Sequence, residues 1–72
     1  MAYYSVLIIS KGGLSQYGSQ EYEAESFYFG EDETMMRVKF FDAVRKAASM
    51  PKAISVVVRS DLEELARVYI EH

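Results

Sequence analysis

The residues able to move a proton or hold a metal are few and poorly placed. The one histidine, His72, is the last residue, and chain ends are seldom tied down, so imidazole acid–base chemistry and a histidine-rich metal site are not expected. None of the serines sits in a nucleophile-elbow pattern, and no base accompanies them. Glu21, Glu23 and Glu25 are close enough in sequence to act together, but on a solvated strand face nothing lifts a carboxyl pKa to a catalytic value. Lys11-Gly12-Gly13 follows an apolar run as a phosphate loop would, yet the second Gly-Lys-Ser/Thr element is missing and no helix follows. Glu31-Asp32-Glu33 lacks the alternating ligands and distant bidentate glutamate of a calcium loop, and reads as the acidic first turn of a helix. These residues predict a protein with no enzymatic chemistry, no cofactor and no metal.

What the side chains can do is bind. Glu21, Glu23 and Glu25 alternate with Tyr22, Ala24 and Ser26, which would set a row of carboxylates at roughly 6.6–7 Å intervals along a strand. Such a row resembles part of a nucleic-acid backbone. A small protein carrying it would fit the basic groove of a nucleic-acid enzyme, as small phage-encoded inhibitors do; the comparison is an analogy, not a family resemblance. Tyr17, Tyr22 and Tyr28 would supply aromatic contacts to the same partner. Arg45, Lys46, Lys52 and Arg59 offer a second class of reading, a basic patch for weak nucleic-acid binding. Against it stand a net charge of −3, the acidic strand, and the missing aromatic and basic strand motifs of RNA-binding sheets.

The charge is segmented. Residues 20–33 carry six acids and no base, whereas residues 34–60 carry six bases (Arg37, Lys39, Arg45, Lys46, Lys52, Arg59) and one acid, Asp42. Half of the 72 residues are hydrophobic and 14% are aromatic, which predicts one folded domain near the lower size limit for a single core. With no cysteine, neither disulfides nor thiolate-bound zinc can staple it. There is no basic n-region and no apolar run long enough to be a signal or a membrane span, so a cytoplasmic protein with no membrane partner is expected.

Those side chains need elements to hold them. Residues 3–10, Tyr-Tyr-Ser-Val-Leu-Ile-Ile-Ser, are β-branched, aromatic and apolar on both alternating sets, which predicts a central strand. Residues 11–19, with three glycines and two serines, read as a flexible connection. Residues 20–29 read as a second strand whose alternation stumbles. Continued, it puts Phe27 and Phe29 on the glutamate face, so either a bulge near Glu25–Ser26 resets the register or the glutamates project past the core; the second needs no extra device. Gly30 ends it, and Asp32 or Thr34 can cap a helix running to about Met50. Its apolar face is Met36, Phe40, Phe41, Ala43, Val44, Ala47 and Ala48, with Ala47 and Ala48 small enough for close approach to a sheet. Pro51 stops it, and residues 52–59 form a third strand.

Ser60-Asp61-Leu62-Glu63 fits a capping box, and Leu62, Leu65, Ala66 and Tyr69 then make a helical stripe. The expected order is β-β-α-β-α: an α+β domain with a three-stranded sheet in the order 2-1-3 and two helices on one face. That leaves the other sheet face uncovered, showing either Tyr3, Leu7 and Ile9 or Tyr4, Val6 and Ile8 according to register. With Tyr4, Val6, Ile8 and Val57 taken as that face, a contiguous apolar patch predicts self-association, as a dimer, or a protein partner. The expected function is protein–protein contact, through this face and through the acidic strand toward a basic partner.

Overall fold

In the computed structural model, which describes residues 2–72, the apolar run 6–9 lies inside β1 (Tyr4–Leu14). This strand pairs antiparallel with β2 (Gln20–Gly30) on one side and with β3 (Ala53–Ser60) on the other. A fourth strand, β4 (Glu63–Tyr69), adds antiparallel to β3, so the sheet order is β2-β1-β3-β4. One helix, α1 (Glu33–Ala48), joins β2 to β3. The three-stranded sheet with two helices expected above is therefore wrong: there are four strands and one helix among the described residues.

The error lies wholly in the segment after β3. Ser60 and Glu63, read as the two ends of a capping box, face each other across a tight hairpin instead. Asp61 in the loop takes φ +52°, a left-handed conformation that Asp tolerates better than most residues. Its carboxylate accepts from Tyr3 N at 3.1 Å, and its own N–H donates to Tyr3 O at 2.8 Å. Ala66 and Val68 then lie opposite Val58 and Val56. An isolated helix of about ten residues is marginal in water, whereas β3 offers a free edge with valines to pair against. The alternation of Ala66, Val68 and Ile70 with Arg67, Tyr69 and Glu71 carried the strand; the Leu62–Leu65–Tyr69 spacing concealed it.

Side-chain alternation along β1 and β3 separates two faces. Val6, Ile8, Val56 and Val58 are buried beneath α1, against Met36, Ala43 and Ala47. Ala43 and Ala47 have no exposed surface, so the close approach is made by these two; Ala48 is exposed. Burying each larger side chain contributes roughly 1.5–3 kcal/mol. Asp32 caps the helix, its Oδ1 accepting from Met35 N at 3.0 Å.

β2 carries the bulge. Val6 faces Tyr28 while Leu7 faces Ser26, which leaves Phe27 without a partner. Phe27 and Tyr28 both pack on the covered core, and Phe29, opposite Ser5, is sent to the other face. The register reset thus occurs, one or two residues beyond Glu25–Ser26. Gly30 is needed there, because the Tyr28 ring occupies the place of a Cβ on residue 30.

The connection expected at residues 11–19 is shorter than that, because residues 11–14 belong to β1 and only 15–19 are loop. β1 runs on to Leu14, while its pairing with β3 ends at Ser10. The β1–β2 hairpin therefore projects as an arm of about 20 Å, six residues at ~3.3 Å each. Ser15 Oγ accepts from Tyr17 N and Ser19 N at its tip, and the Gln20 amide donates to the Gly12, Gly13 and Glu21 carbonyls.

Candidate functional site

The face of the sheet opposite α1 is built from the odd-numbered residues of β1. Ser5, Leu7 and Ile9 lie opposite Arg59, Val57 and Ser55 of β3, and opposite Phe29, Ser26 and Ala24 of β2. No element among the described residues covers this face. At one end Tyr3 and Phe29 stack with ring centroids 5.4 Å apart and planes within 6°, although they are 45% and 65% exposed. Offset-stacked rings of this kind add to the apolar attraction of their surfaces. Leu7 and Ile9, half-buried, continue the apolar strip toward the arm.

A polar rim runs along the β4 side. Arg67 donates to both Glu64 carboxylate oxygens, at 2.7 and 3.3 Å, and to Ser55 Oγ at 3.3 Å. Arg59 donates to Leu62 O at 3.2 Å. With Leu7, Ile9, Val57 and Leu62, these residues surround a shallow concavity. The Arg67 guanidinium, chiefly through its hydrogen bonds, holds the Glu64 carboxyl below its ordinary range, against a smaller opposing effect of desolvation. Arg67 is raised in turn, first by the same hydrogen bonds. The face is thus an apolar strip with two exposed aromatic rings at one end and Arg59 and Arg67 along its β4 side.

The proposed self-association set is divided. Val6 and Ile8 are buried under α1 and Tyr4 packs beside them, whereas Val57 lies on the opposite face at 3% exposure. Of the two sets weighed from sequence, the uncovered one is Tyr3, Leu7 and Ile9. Strand parity in a sequence gives the sets but not which one a helix will cover; the bulge at Phe27 and the position of α1 decide that.

The acidic set is nearer to expectation in geometry. β2 is an edge strand. Glu23 and Glu25 lie opposite Ser10 and Ile8, hence on the helix side, and alternation puts Glu21 with them and Tyr22 on the other side. Glu25 is tied to Lys46 at 3.7 Å, with the Lys46 ammonium 5.6 Å from the centre of the Phe27 ring. Glu21 stands on the arm and Glu23 at its base, both exposed, and Tyr17 is 85% exposed at the tip. Tyr28 is drawn away from them: half-buried on the core, its hydroxyl donates to Asp32 O at 3.5 Å.

The four basic residues are not gathered on one face. Arg59 is on the uncovered sheet face, and Lys46 leans toward β2. Arg45 is ion-paired with Asp42 on the helix. Lys52 sits in the turn before β3, its carbonyl accepting from Lys11 N at 2.8 Å. The Tyr3–Phe29 stack and the Arg67–Glu64–Ser55 network were missed from sequence. The first needs the bulge to bring Phe29 across; the second needs β4 to be a strand. Among the described residues no three His, Cys, Asp or Glu side chains form a cluster able to hold a metal ion, and no helix is long and apolar enough to cross a membrane.

Compared with known protein families, curated proteins and solved structures, the chain matches no family model, no curated protein and no solved structure.

Proposed function

We propose that this is a non-enzymatic cytoplasmic protein that works through protein–protein contact and self-associates through the uncovered sheet face. The observation that carries the reading is the strip Tyr3, Phe29, Leu7 and Ile9, apolar and in part exposed, on a face that no element among the described residues covers. The overall dimensions support it. The accessible surface is 5081 Å², against about 4,500 Å² for a compact monomer of this mass. The radius of gyration is 12.9 Å, against about 11 Å for a compact domain of this length.

Four strands at ~4.8 Å spacing and about seven residues of ~3.3 Å rise make a plane of roughly 440 Å² per copy, toward the small end for specific interfaces. A dimer held by this face alone would thus be of modest affinity. Size-exclusion chromatography with light scattering, loaded at high-micromolar to millimolar concentration where a contact of modest affinity is still populated, tests it. The expected result is a mass above that of the single 8.2 kDa chain, reduced by Leu7→Lys. A strictly monomeric protein that captures no other would contradict it.

The projecting arm supports the second part of the reading, contact with a basic partner through Glu21 and Glu23. Replacing both with glutamine removes charge without disturbing the Glu25–Lys46 pair. Partner affinity should fall and lose its salt dependence; unchanged binding would sink this part alone. The dispersal of Arg45, Lys46, Lys52 and Arg59 gives nothing to favour the nucleic-acid alternative.

A further inference from the structure

A second apolar surface lies on the helix side of β4. The helix packs on β1, β3 and β2, and stops short of β4. Between them runs a largely apolar groove, walled by Met36, Phe40 and Phe41 with Arg37 at its margin, and floored by Val58, Leu65 and Ala66. Phe41 is 64% and Leu65 51% exposed. On the helical wheel Phe41 and Ala48 belong to the apolar face, at its border toward β4, so α1 carries a wider apolar arc than its own sheet covers.

β4 is also an edge, guarded only at its start, where Glu63 and Glu64 precede a register shift at Leu65. All seven of its residues are exposed, and its outer backbone groups have no strand beside them. At the opposite edge, β2 carries three glutamates and a bulge, both of which discourage pairing. Past Glu64, β4 has only Arg67 as a charge, and no proline.

We propose that β4 pairs antiparallel with β4 of a second copy, continuing the sheet and closing the groove. The pattern of the strand supports this occupant. Ile70 N donates to Ile54 O at 2.9 Å, so Ile70 and, by alternation, Val68 point their backbone groups at β3. Arg67 and Tyr69 point theirs outward. A two-fold axis at Val68 makes Arg67 and the partner's Tyr69 a hydrogen-bonded pair, twice, with four N–H···O bonds in all. On the helix side Val68 meets its own copy, and Ala66 meets Ile70, so apolar faces apolar. On the other side each arginine lies beside a tyrosine ring, a favourable contact. A two-fold at Tyr69 keeps the same parity and opposes Arg67 to Glu71. Of the axes at Arg67, Val68 and Tyr69, only the one at Arg67 places like charges together. The strand is self-complementary in hydrogen bonds, in side chains and in charge.

This axis stands perpendicular to the sheet. The axis relating two stacked sheet faces lies parallel to it, so both contacts can coexist. They close a D2 tetramer of two stacked sheets, each eight-stranded from two four-stranded copies.

The test combines native mass with amide hydrogen exchange on the full chain. Tyr69→Pro removes an outward donor that β3 does not use; Leu65→Lys, in the groove, serves where the proline unfolds the chain; thermal melts check both. The expected wild type has four times the chain mass, falling to twice in Tyr69→Pro or Leu65→Lys, and also to twice in Leu7→Lys. The Arg67 and Tyr69 amides exchange at least about tenfold more slowly in wild type and Leu7→Lys than in Leu65→Lys. A wild type of twice the chain mass, unchanged by the β4 variants but monomeric in Leu7→Lys, overturns the edge pairing and leaves the sheet-face contact standing. Single chains from the β4 variants alone support the edge and overturn the face. A monomeric wild type, with fast exchange at Arg67 and Tyr69, overturns both.

Discussion

The two faces of one strand, β1, have met opposite fates. Val6 and Ile8 are fully buried beneath α1, while Leu7 and Ile9, as apolar and only one residue away, lie on a face that α1 cannot reach. The helix is 16 residues long and the sheet four strands wide, so a single helix covers one side only. The difference teaches that hydrophobicity in β1 is used in two ways: on the even set it builds the core beneath α1, and on the odd set it lies on a face that no element among the described residues covers.

The largest effect that separates the faces is on stability. Ile8→Ala should lower the unfolding free energy by about 2–5 kcal/mol, the range for deleting a buried large aliphatic. Leu7→Ala, measured by urea denaturation in dilute solution, should cost less than about half of that. Equal losses would mean that both faces are core. Next comes Gly30→Ala. The added methyl would press on the Tyr28 ring, which should cost about 1–3 kcal/mol as overpacking does; a neutral result would mean that Tyr28 does not hold its place on the covered side.

On the open side, Tyr3→Ala breaks the stack with Phe29 and should weaken self-association about tenfold, or ~1.4 kcal/mol, with a melting temperature nearly unchanged at low concentration. Sedimentation equilibrium reads this. The smallest effect is that of pH. Because Arg67 lowers the folded pKa of Glu64, their pairing contributes above the ordinary carboxylate value and is lost as pH falls through the lowered one. Arg67→Gln should therefore differ from wild type near neutrality and converge with it in acid. A gap that widens in acid would contradict the pairing.

How much of this was legible in the sequence depends on the range of the signal. The central place of β1 follows from its two apolar sets, and the start of α1 from Asp32 and the acidic turn. The fate of residues 60–70 was not legible, because Leu62, Leu65 and Tyr69 fit a helical stripe while Ala66, Val68 and Ile70 fit a strand. The choice was made by the free edge of β3, a tertiary fact. The assignment of Tyr4, Val6 and Ile8 to the open face failed for a similar reason: parity is local, but the side on which a helix docks is not. The arm was hidden by its glycines, which read as a loop although Gly12 and Gly13 lie in the strand.

The contrast between the faces is tested most directly by methyl NMR on dilution from millimolar to micromolar protein. The Leu7, Ile9 and Val57 methyl resonances should move as the contact dissociates, while those of Val6, Ile8 and Val56 hold still. Resonances that all stay fixed across that range, in a protein of single-chain mass, would contradict self-association through the open face.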